Sequence, residues 1–418
     1  MQRASSNSPS SNLRISTAHC RYCQGSQLNR NSIAVKLRNT KVIYYDCSNY
    51  YFEIESDDDF RKCGHSKEHR PNPIVQLGLF MDADGLPLAF CVNPGNTTEA
   101  QTMQPLEEKL ADNFSLSDFV ACTDGGLGSV DNRMYNTTEG RDYITVLSLK
   151  KMRPHLQDWV VNAKAEWHTK GYDESFTLEE AARIFGDRFN DMVFYRDRCS
   201  KETYLDIKGK TRELEEHLIV TYSHKYAQYQ RKTRAEQIAR AQSKIDRGES
   251  CKPKSPNDCR RLIRTVSATA EGELAERTYS QIDWEKVRAE ERFDGFYAYG
   301  TSLDDHPLEI LKVNSFRGEI EALFRVTKTN LNLRPIYLSR KDRIIGHFIT
   351  CFIALLLLKQ LQHSLPQKHS IDSLCDTLRS IKLLYHDAYG YEPAFDRTDL
   401  TDELQANANI LIDTEIIP

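Results

Sequence analysis

The sequence predicts an α/β protein built on a mixed β-sheet with flanking helices. Residues 41–55 are rich in Tyr, Val and Ile, and residues 73–96 give a strand, a turn and a second strand. A helical pattern over 97–114 follows, and short apolar strands follow it at 118–126 and 142–149. Three strands, a helix and two further strands are typical of an α/β layer with a mixed sheet.

Composition indicates an intracellular globular protein. The chain has 418 residues, 39% of them hydrophobic and 28% charged, with a net charge of −4 and 11 scattered cysteines. Such cysteine usage, without a signal peptide, is typical of reduced thiols in the cytoplasm. The longest apolar run, 348–358, is shorter than the roughly 20 residues that span a bilayer. We expect a buried core helix there, and no membrane segment.

The N-terminal region carries few structural signals. Its first residues are rich in Ser and Asn and include no apolar segment, so we expect 1–40 to be disordered or truncated. Cys20 and Cys23 form a single CxxC beside His19. A zinc ribbon needs a second pair at suitable spacing, and none follows, which disfavours zinc binding.

A cationic segment lies in the middle of the chain. Residues 225–264 contain twelve Lys or Arg against four Asp or Glu, with Tyr222, Tyr226 and Tyr229 beside them. The segment suits contact with nucleic-acid phosphates. An exposed helical hairpin rich in charged residues would have the same composition. The sequence does not distinguish between these two interpretations. After residue 303 helical patterns dominate, over 310–330, 344–361 and 370–386.

Two aspartates occur within or at the end of predicted strands that are otherwise apolar. Asp46 interrupts the first strand, and Asp124 ends the strand at 118–124, just before Gly125 and Gly126. A buried carboxylate is costly unless it is paired or binds a metal, so two of them on neighbouring strands suggest a shared cation. The simpler alternatives are backbone hydrogen bonding for Asp46 and a turn role for Asp124.

A third carboxylate lies on the predicted helix over 314–328. At about 100° per residue, Arg317, Glu321 and Lys328 share one ridge beside an apolar stripe, and Glu319 points away. Three hard oxygen donors, Asp46, Asp124 and Glu321, match Mg²⁺ or Mn²⁺, and such a site can hold two ions.

The chain resembles DDE transposases of the IS4 superfamily, and within it the IS1634 group of bacterial insertion sequences. The resemblance covers about residues 40–410 and rests on ordered sequence blocks. These blocks are YYDCSNYYFE (44–53), GHSKEHRPNPIVQLGLFMDADGLPLAFCVNPGNTTE (64–99), ACTDGGLGSVDN (121–132), FDGFYAYGTSL (293–303), FRGEIEALFRVTKTNLNLRPIYL (316–338) and DRIIGHFITCFIALLL (342–357).

The resemblance implies an RNase H-like fold with a β-containing insertion domain. It implies that 41–150 is the first part of the catalytic domain, 151–303 the insertion with the basic segment, and 304–418 the helical C-terminal part. Glu321 follows Asp124 by 197 positions, which leaves room for that insertion.

The family's catalytic and metal-binding triad maps onto Asp46, Asp124 and Glu321. Its Y-x2-R-x3-E-x6-K signature matches at Arg317, Glu321 and Lys328, with Asn314 in place of the tyrosine.

The implied activity is DNA transposition. The enzyme would cut DNA at the ends of an insertion sequence and join the freed 3′-OH to target DNA, using two Mg²⁺ or Mn²⁺ ions by the two-metal scheme. Arg317, Lys328 and Arg325 would contact DNA, and His347 would be a core or backbone-bonding residue. A homodimer in the DNA complex and a cytoplasmic, nucleoid-associated location are implied. An RNase H-like metal-dependent nuclease and an inactive DNA-binding remnant are the alternatives.

Overall fold

The computed structural model describes residues 38–410 except 115–117, 139, 163, 206–208, 254, 256, 269–273 and 388–389. The Cys20–Cys23 pair and nearly all of the predicted N-terminal region lie outside the described residues. The strands are β1 (Val42–Tyr51), β2 (Ile74–Asp82), β3 (Pro87–Pro94), β4 (Phe119–Thr123), β5 (Arg141–Leu147), β6 (His168–Thr169), β7 (Val193–Leu205), β8 (Thr211–Ser223), β9 (Ile263–Ala268), β10 (Leu274–Ile282), β11 (Phe296–Thr301), β12 (Leu383–His386) and β13 (Gly390–Pro393). The helices are α1 (Glu99–Phe114), α2 (Val130–Tyr135), α3 (Pro154–Val160), α4 (Leu178–Phe185), α5 (His224–Asp246), α6 (Trp284–Glu291), α7 (Pro307–Ser315), α8 (Gly318–Thr329), α9 (Lys341–Ser364), α10 (Ile371–Ser380) and α11 (Asp399–Ala408).

The chain folds as two compact units. One consists of residues 1–142 and 315–418, and the other of residues 143–314. The strands of the first unit lie in the order β3-β2-β1-β4. β1 pairs antiparallel with β2 and parallel with β4, and β2 pairs antiparallel with β3. This mixed sheet with flanking helices is the predicted α/β architecture, and its order and directions are compatible with an RNase H-like fold.

The central strand β1 is buried on both faces, which explains its continuous run of apolar and aromatic residues. On one face Tyr45 and its neighbours join a core with α1. On the other face Tyr44 packs against Phe316, with ring centroids 5.5 Å apart, and Tyr50 packs against Phe348 of α9 at 5.3 Å. Side chains alternate along a strand, so even-numbered β1 residues face α8 and α9.

The predicted helix over 310–330 is two helices, and the expectation of one continuous helix is wrong. The chain tightens between α7 and α8, where the N–H of Glu319 bonds to the carbonyl of Phe316 and that of Ile320 to the carbonyl of Arg317. These are three-residue spacings, and Gly318 is a poor helix former that permits the change. The helix predicted over 370–386 also ends early, at Ser380, because the β-prone residues that follow pair as β12 with β13.

The apolar helix predicted from 344–361 extends over the whole of α9. By length and composition, α9 could cross a membrane. Its Phe348, Phe352 and Leu355 side chains are buried, and the ring of Phe352 lies 4.9 Å from that of Phe90 on β3. These contacts are those of a core helix packed on a sheet, as the sequence predicted.

The second unit contains an antiparallel sheet in the order β5-β11-β8-β7-β6. A core of aromatic residues covers one part of it, with Trp167, Phe194 and Tyr222 buried together. The long helix α5 follows β8 directly and carries most of the cationic segment. β9 and β10 form a separate antiparallel pair.

Gly78 on β2 is required by the packing of Tyr45. A Cβ at this position would overlap the Tyr45 hydroxyl and approach the sulfur of Cys91 to 3.0 Å. We expect Gly78→Ala to lower the free energy of unfolding by about 1–3 kcal/mol, because the core must shift to accept the methyl group. Urea denaturation measures this change.

Gly346 provides the matched control for that substitution. It lies within α9, and an added Cβ would meet nothing within 4 Å. Gly346→Ala should therefore stabilise the protein by about 0.5–1 kcal/mol, through helix propensity alone. A Gly78→Ala protein as stable as the wild type would contradict the packing argument.

Candidate acidic site

The register of two parallel strands places Asp46 beside Asp124. In β1 and β4, Tyr44 pairs with Cys122 and Tyr45 pairs with Thr123. One further step along both strands reaches the two aspartates, on chains about 4.8 Å apart. Both side chains have the parity of the β1 face that packs against α8 and α9. The strand register therefore puts the two aspartates at adjacent positions on neighbouring strands.

Asp46 is a buried carboxyl under electrostatic stress. Asp46 is 8% exposed. Burial raises the pKa of its carboxyl to about 6, and the charges of Asp124 and Glu99 add to this rise. The charge of Lys67 opposes this shift, and so does the hydrogen bond that the Cys47 amide donates to Oδ1 at 2.7 Å. Ionised Asp46 therefore benefits from any added positive charge.

Lys67 supplies positive charge to the site. Its Nζ lies 3.9 Å from Oδ1 of Asp46 and 3.0 Å from Oε1 of Glu99, and it donates to the carbonyl of Cys47 at 2.6 Å. The attraction of the two carboxylates raises the pKa of Lys67 against the effect of burial. Lys67 comes from the loop between β1 and β2, and sequence reasoning missed it because no local pattern marks that loop.

Glu99 is a further carboxylate that sequence reasoning did not identify. It opens α1, and the sequence shows it only as an acidic residue in a helix first turn. Asp124 ends β4 with its Oδ1 accepting hydrogen bonds from the amides of Gly126 and Leu127. A Cβ on Gly126 would lie 3.3 Å from Oδ1 of Asp124 and 3.5 Å from Oε2 of Glu99. The glycine turn thus sits between two carboxylates, and both belong to the site.

Helix α8 brings cations to the same face of the sheet. The charges of Lys67 and Asp46 act on the Lys328 ammonium, whose pKa is lowered chiefly by burial. Its Nζ also lies over the Tyr50 ring, 5.5 Å from the centroid. The Arg317 guanidinium acts on buried Cys122 of β4 and lies 3.4 Å from Oε1 of Glu321.

Ideal helix and strand rises give Glu321 and Asp46 similar advances along β1. α8 runs along β1, because Phe316 packs on Tyr44 and Thr327 bonds the Tyr50 hydroxyl at 2.5 Å. Five helical residues beyond Phe316 advance Glu321 by about 7.5 Å. Two strand residues beyond Tyr44 advance Asp46 by about 6.6 Å.

The structure brings Asp46, Asp124, Glu99 and Lys67 together and leaves Glu321 at the rim. The Glu321 side chain is 61% exposed, and the leading charges that act on Asp46 are those of Lys67, Asp124 and Glu99. Within the described ranges, no three His, Cys, Asp or Glu residues gather closely enough to hold a metal ion. The donors present are nevertheless hard carboxylate oxygens, one of them destabilised in its ionised form, and these suit Mg²⁺ or Mn²⁺.

The remaining predicted residues take different places. Arg325 is exposed on α8, one turn beyond Glu321. His347 on α9 is half-buried; burial lowers its pKa, and a hydrogen bond with the backbone of Leu333 opposes that shift. His347 is therefore the backbone-bonding residue that the sequence predicted.

Part of the basic segment is internally neutralised. Arg234 forms a buried ion pair with Asp294, and Arg261 lies 3.0 Å from Oε2 of Glu290. In contrast, Lys232 and Arg240 are exposed on α5 and form no ion pair with the described residues. The surface charge of α5 is therefore smaller than its composition predicts, and it is concentrated on a few side chains.

Comparison with known proteins yields no family. No protein-family model matches the chain, and no curated protein matches it. A cryo-EM structure of the piggyBac transposase synaptic complex with hairpin DNA is similar over 82% of this chain and 52% of that chain, with a TM-score of 0.38 and 7% identity. The chain thus spans about half the length of that transposase, and a likeness this small identifies neither the fold nor the activity.

Replacing Asp46 should change how stability depends on pH. Its folded-state pKa of about 6 exceeds the unfolded value of about 3.9, so the folded protein binds more protons between these values and stability falls as pH rises through them. Asp46→Asn should remove this fall and be about 1–3 kcal/mol more stable than wild type at pH 7. Urea denaturation between pH 4 and pH 7 measures the difference.

Glu53→Gln is the control, because Glu53 is an exposed residue beyond the end of β1. Its pH profile should follow that of the wild type. If Asp46→Asn also followed the wild type from pH 4 to pH 7, Asp46 would not be the strained carboxyl described above.

Proposed function

We propose that this protein is a DDE-type transposase that cuts and joins DNA with the help of divalent metal ions. The observation that carries the proposal is the parallel β1–β4 register, which sets Asp46 beside Asp124 on the sheet face packed by α8. α8 carries Glu321 between two cations, in the spacing of the IS4-superfamily signature. The function rests on this placement and on the sequence resemblance together.

Asp46, Asp124 and Glu321 are the residues that would hold Mg²⁺ or Mn²⁺. The bound ions would activate the attacking oxygen and stabilise charge on the leaving oxygen of a phosphodiester. Asp46 contributes a carboxylate whose ionised form is costly without added positive charge. Oε1 of Glu99 lies 3.0 Å from Nζ of Lys67 and would position that ammonium, which is 3.9 Å from Oδ1 of Asp46.

The cations on α8 would bind the DNA backbone. Arg317 and Lys328 border the carboxylates and would neutralise the phosphate, and exposed Arg325 would extend the contact outward. Asn314 stands where the signature has a tyrosine, so a contact made by that aromatic ring is not available here. The partners are then the terminal repeats of the element and target DNA, held by a homodimer.

A metal-dependent nuclease is the second candidate function. Strand cutting uses the same carboxylates and the same cations, and only strand joining separates the two activities. The exposed Glu321 side chain favours neither, since both need it to approach the two aspartates when metal and DNA bind.

Nicking of DNA by the purified protein should depend on Asp124 and Glu321. We expect Glu321→Gln and Asp124→Asn each to lower Mg²⁺-dependent nicking of a plasmid carrying the element's ends by at least about 100-fold, with DNA affinity nearly unchanged. Gel analysis of nicked and joined products measures both steps. Cutting without joining would identify the nuclease.

Glu319→Gln is the matched control for Glu321→Gln. Both residues lie in the first turn of α8, but Glu319 faces Lys359 of α9, with Nζ and Oε2 3.8 Å apart. Glu319→Gln should retain activity. Full activity in Glu321→Gln would remove Glu321 from the site, and DNA binding by wild type without any nicking would identify an inactive remnant.

The exposed cations of α5 should set the salt dependence of DNA binding. We expect the double substitution Lys232→Gln/Arg240→Gln to flatten the slope of log affinity against log salt by about 1–2, since each phosphate contact contributes close to one unit. Fluorescence anisotropy with labelled duplex at several salt concentrations gives the slope.

Exposed Lys170 in the same unit serves as a control, because it lies away from the cationic segment in the sequence. Lys170→Gln should leave the slope as it is in wild type. An unchanged slope in the double variant would show that α5 is a solvated surface helix and does not contact the DNA.

A further inference from the structure

Arg196 on β7 has an unusual environment for a buried cation. Its guanidinium carbon lies 4.5 Å from the ring centroid of Trp159 and 4.7 Å from that of Trp167. The residue is only 8% exposed. The electron-rich faces of two indole rings attract a guanidinium, most strongly when it is desolvated. The rings hold the cation in place, but they supply no negative charge.

The Arg196 guanidinium lacks a counter-ion in the described part of the chain. Its Nε and Nη2 atoms are buried and donate no hydrogen bond to the described residues. Burial lowers its pKa to about 10, and the one further contribution comes from a like charge, that of Arg198. A buried cation without a partner is costly, so this arrangement needs a compensating anion.

Arg198 extends the cationic site toward solvent. It lies two residues along β7, on the same face of the strand, and its guanidinium carbon is 5.5 Å from the Trp159 ring. The Arg198 side chain is exposed, and its Nε donates to the carbonyl of Cys199. Two cations thus share the Trp159 ring, one buried and one accessible.

Nearby acidic residues already have partners. Glu202 on the same face of β7 is bound by Arg153 at 2.7 Å and by His155 at 2.8 Å. Asp158, next to Trp159, lies 2.8 Å from Arg292. Glu216, on the same face of β8, accepts a hydrogen bond from the Tyr143 hydroxyl at 2.8 Å.

We propose that Arg196, Arg198 and the Trp159 ring form a binding site for a phosphate group. Nη1 of Arg196, which is not one of its two buried nitrogens, would donate to a phosphate oxygen. The Arg198 guanidinium would bind a second oxygen of the same phosphate. The phosphate could belong to a nucleic-acid strand or be free in solution, and both share this chemistry. The site uses residues of the second unit alone, so it can fail or hold independently of metal-dependent nicking.

Tryptophan fluorescence offers a direct readout of this site. The chain has three tryptophans, and two of them border Arg196, while Trp284 is 54% exposed on α6. In a Trp284→Phe background, inorganic phosphate titrated at constant ionic strength should change the emission with a saturating curve. Adding Arg198→Gln should weaken the apparent affinity about tenfold, as expected for the loss of one charge-assisted contact.

Two further variants keep the test sharp. Arg183→Gln removes an exposed arginine from α4 and should leave the phosphate titration unchanged. Arg196→Met keeps the length of the side chain and removes the buried charge; it should abolish the titration while raising the denaturation midpoint. A lowered midpoint together with no fluorescence response to phosphate in the Trp284→Phe protein would overturn the proposal and make Arg196 a structural brace between the two indoles.

The source of the phosphate is decided by a DNA arm. If the site binds a nucleic-acid strand, Arg198→Gln should weaken duplex binding relative to Arg183→Gln, and inorganic phosphate should compete with DNA. If phosphate titrates but DNA affinity is the same in both variants, the ligand is a free phosphate. Absence of a saturating fluorescence change with both phosphate and DNA contradicts the site altogether.

Discussion

The parallel pairing of β1 with β4 is the constraint on which the rest of the first unit depends. It sets two aspartates side by side on a buried face of the sheet, where the charge of Asp124 disfavours the ionised form of Asp46. Such a pair lowers the stability of the fold, since a protonated or apolar residue would cost less. A position of this kind is retained where binding energy compensates for the strain, which is the usual origin of strained carboxylates in functional sites.

The two faces of β1 differ in character, since one is an apolar core and the other carries the candidate acidic site. Tyr45 and its neighbours on the α1 side form a closed apolar core, so tight that the sheet needs a glycine at position 78. On the other face, Tyr44 and Tyr50 hold the two ends of α8 and thereby fix where Glu321 and Lys328 can lie. Because one strand serves both faces, a shift of one residue in its register would exchange core and site residues.

Much of this organisation could be predicted from the sequence, and the remainder depends on tertiary contacts. Asp46 and Asp124 are visible because a carboxylate in an apolar strand contradicts the local pattern. Lys67 and Glu99 cannot be identified in this way, because a lysine in a loop and a glutamate at the start of a helix are common. Only their contact in the folded structure marks them as residues of the site. The break before Gly318 was missed for a similar reason, since a single helical period fits both α7 and α8.

Net charge is a poor guide to where cations act, as the second unit illustrates. The basic segment of α5 is conspicuous in the composition, yet the charge of Arg234 is neutralised by a buried ion pair with Asp294. Arg196 lies in an unremarkable stretch of β7 and has no such partner among the described residues. Salt and water screen the electrostatic interactions of exposed cations on a helix. The interactions of a buried guanidinium between two indoles are screened much less. The free energy available for binding an anion is therefore greatest where composition gives the least indication of it.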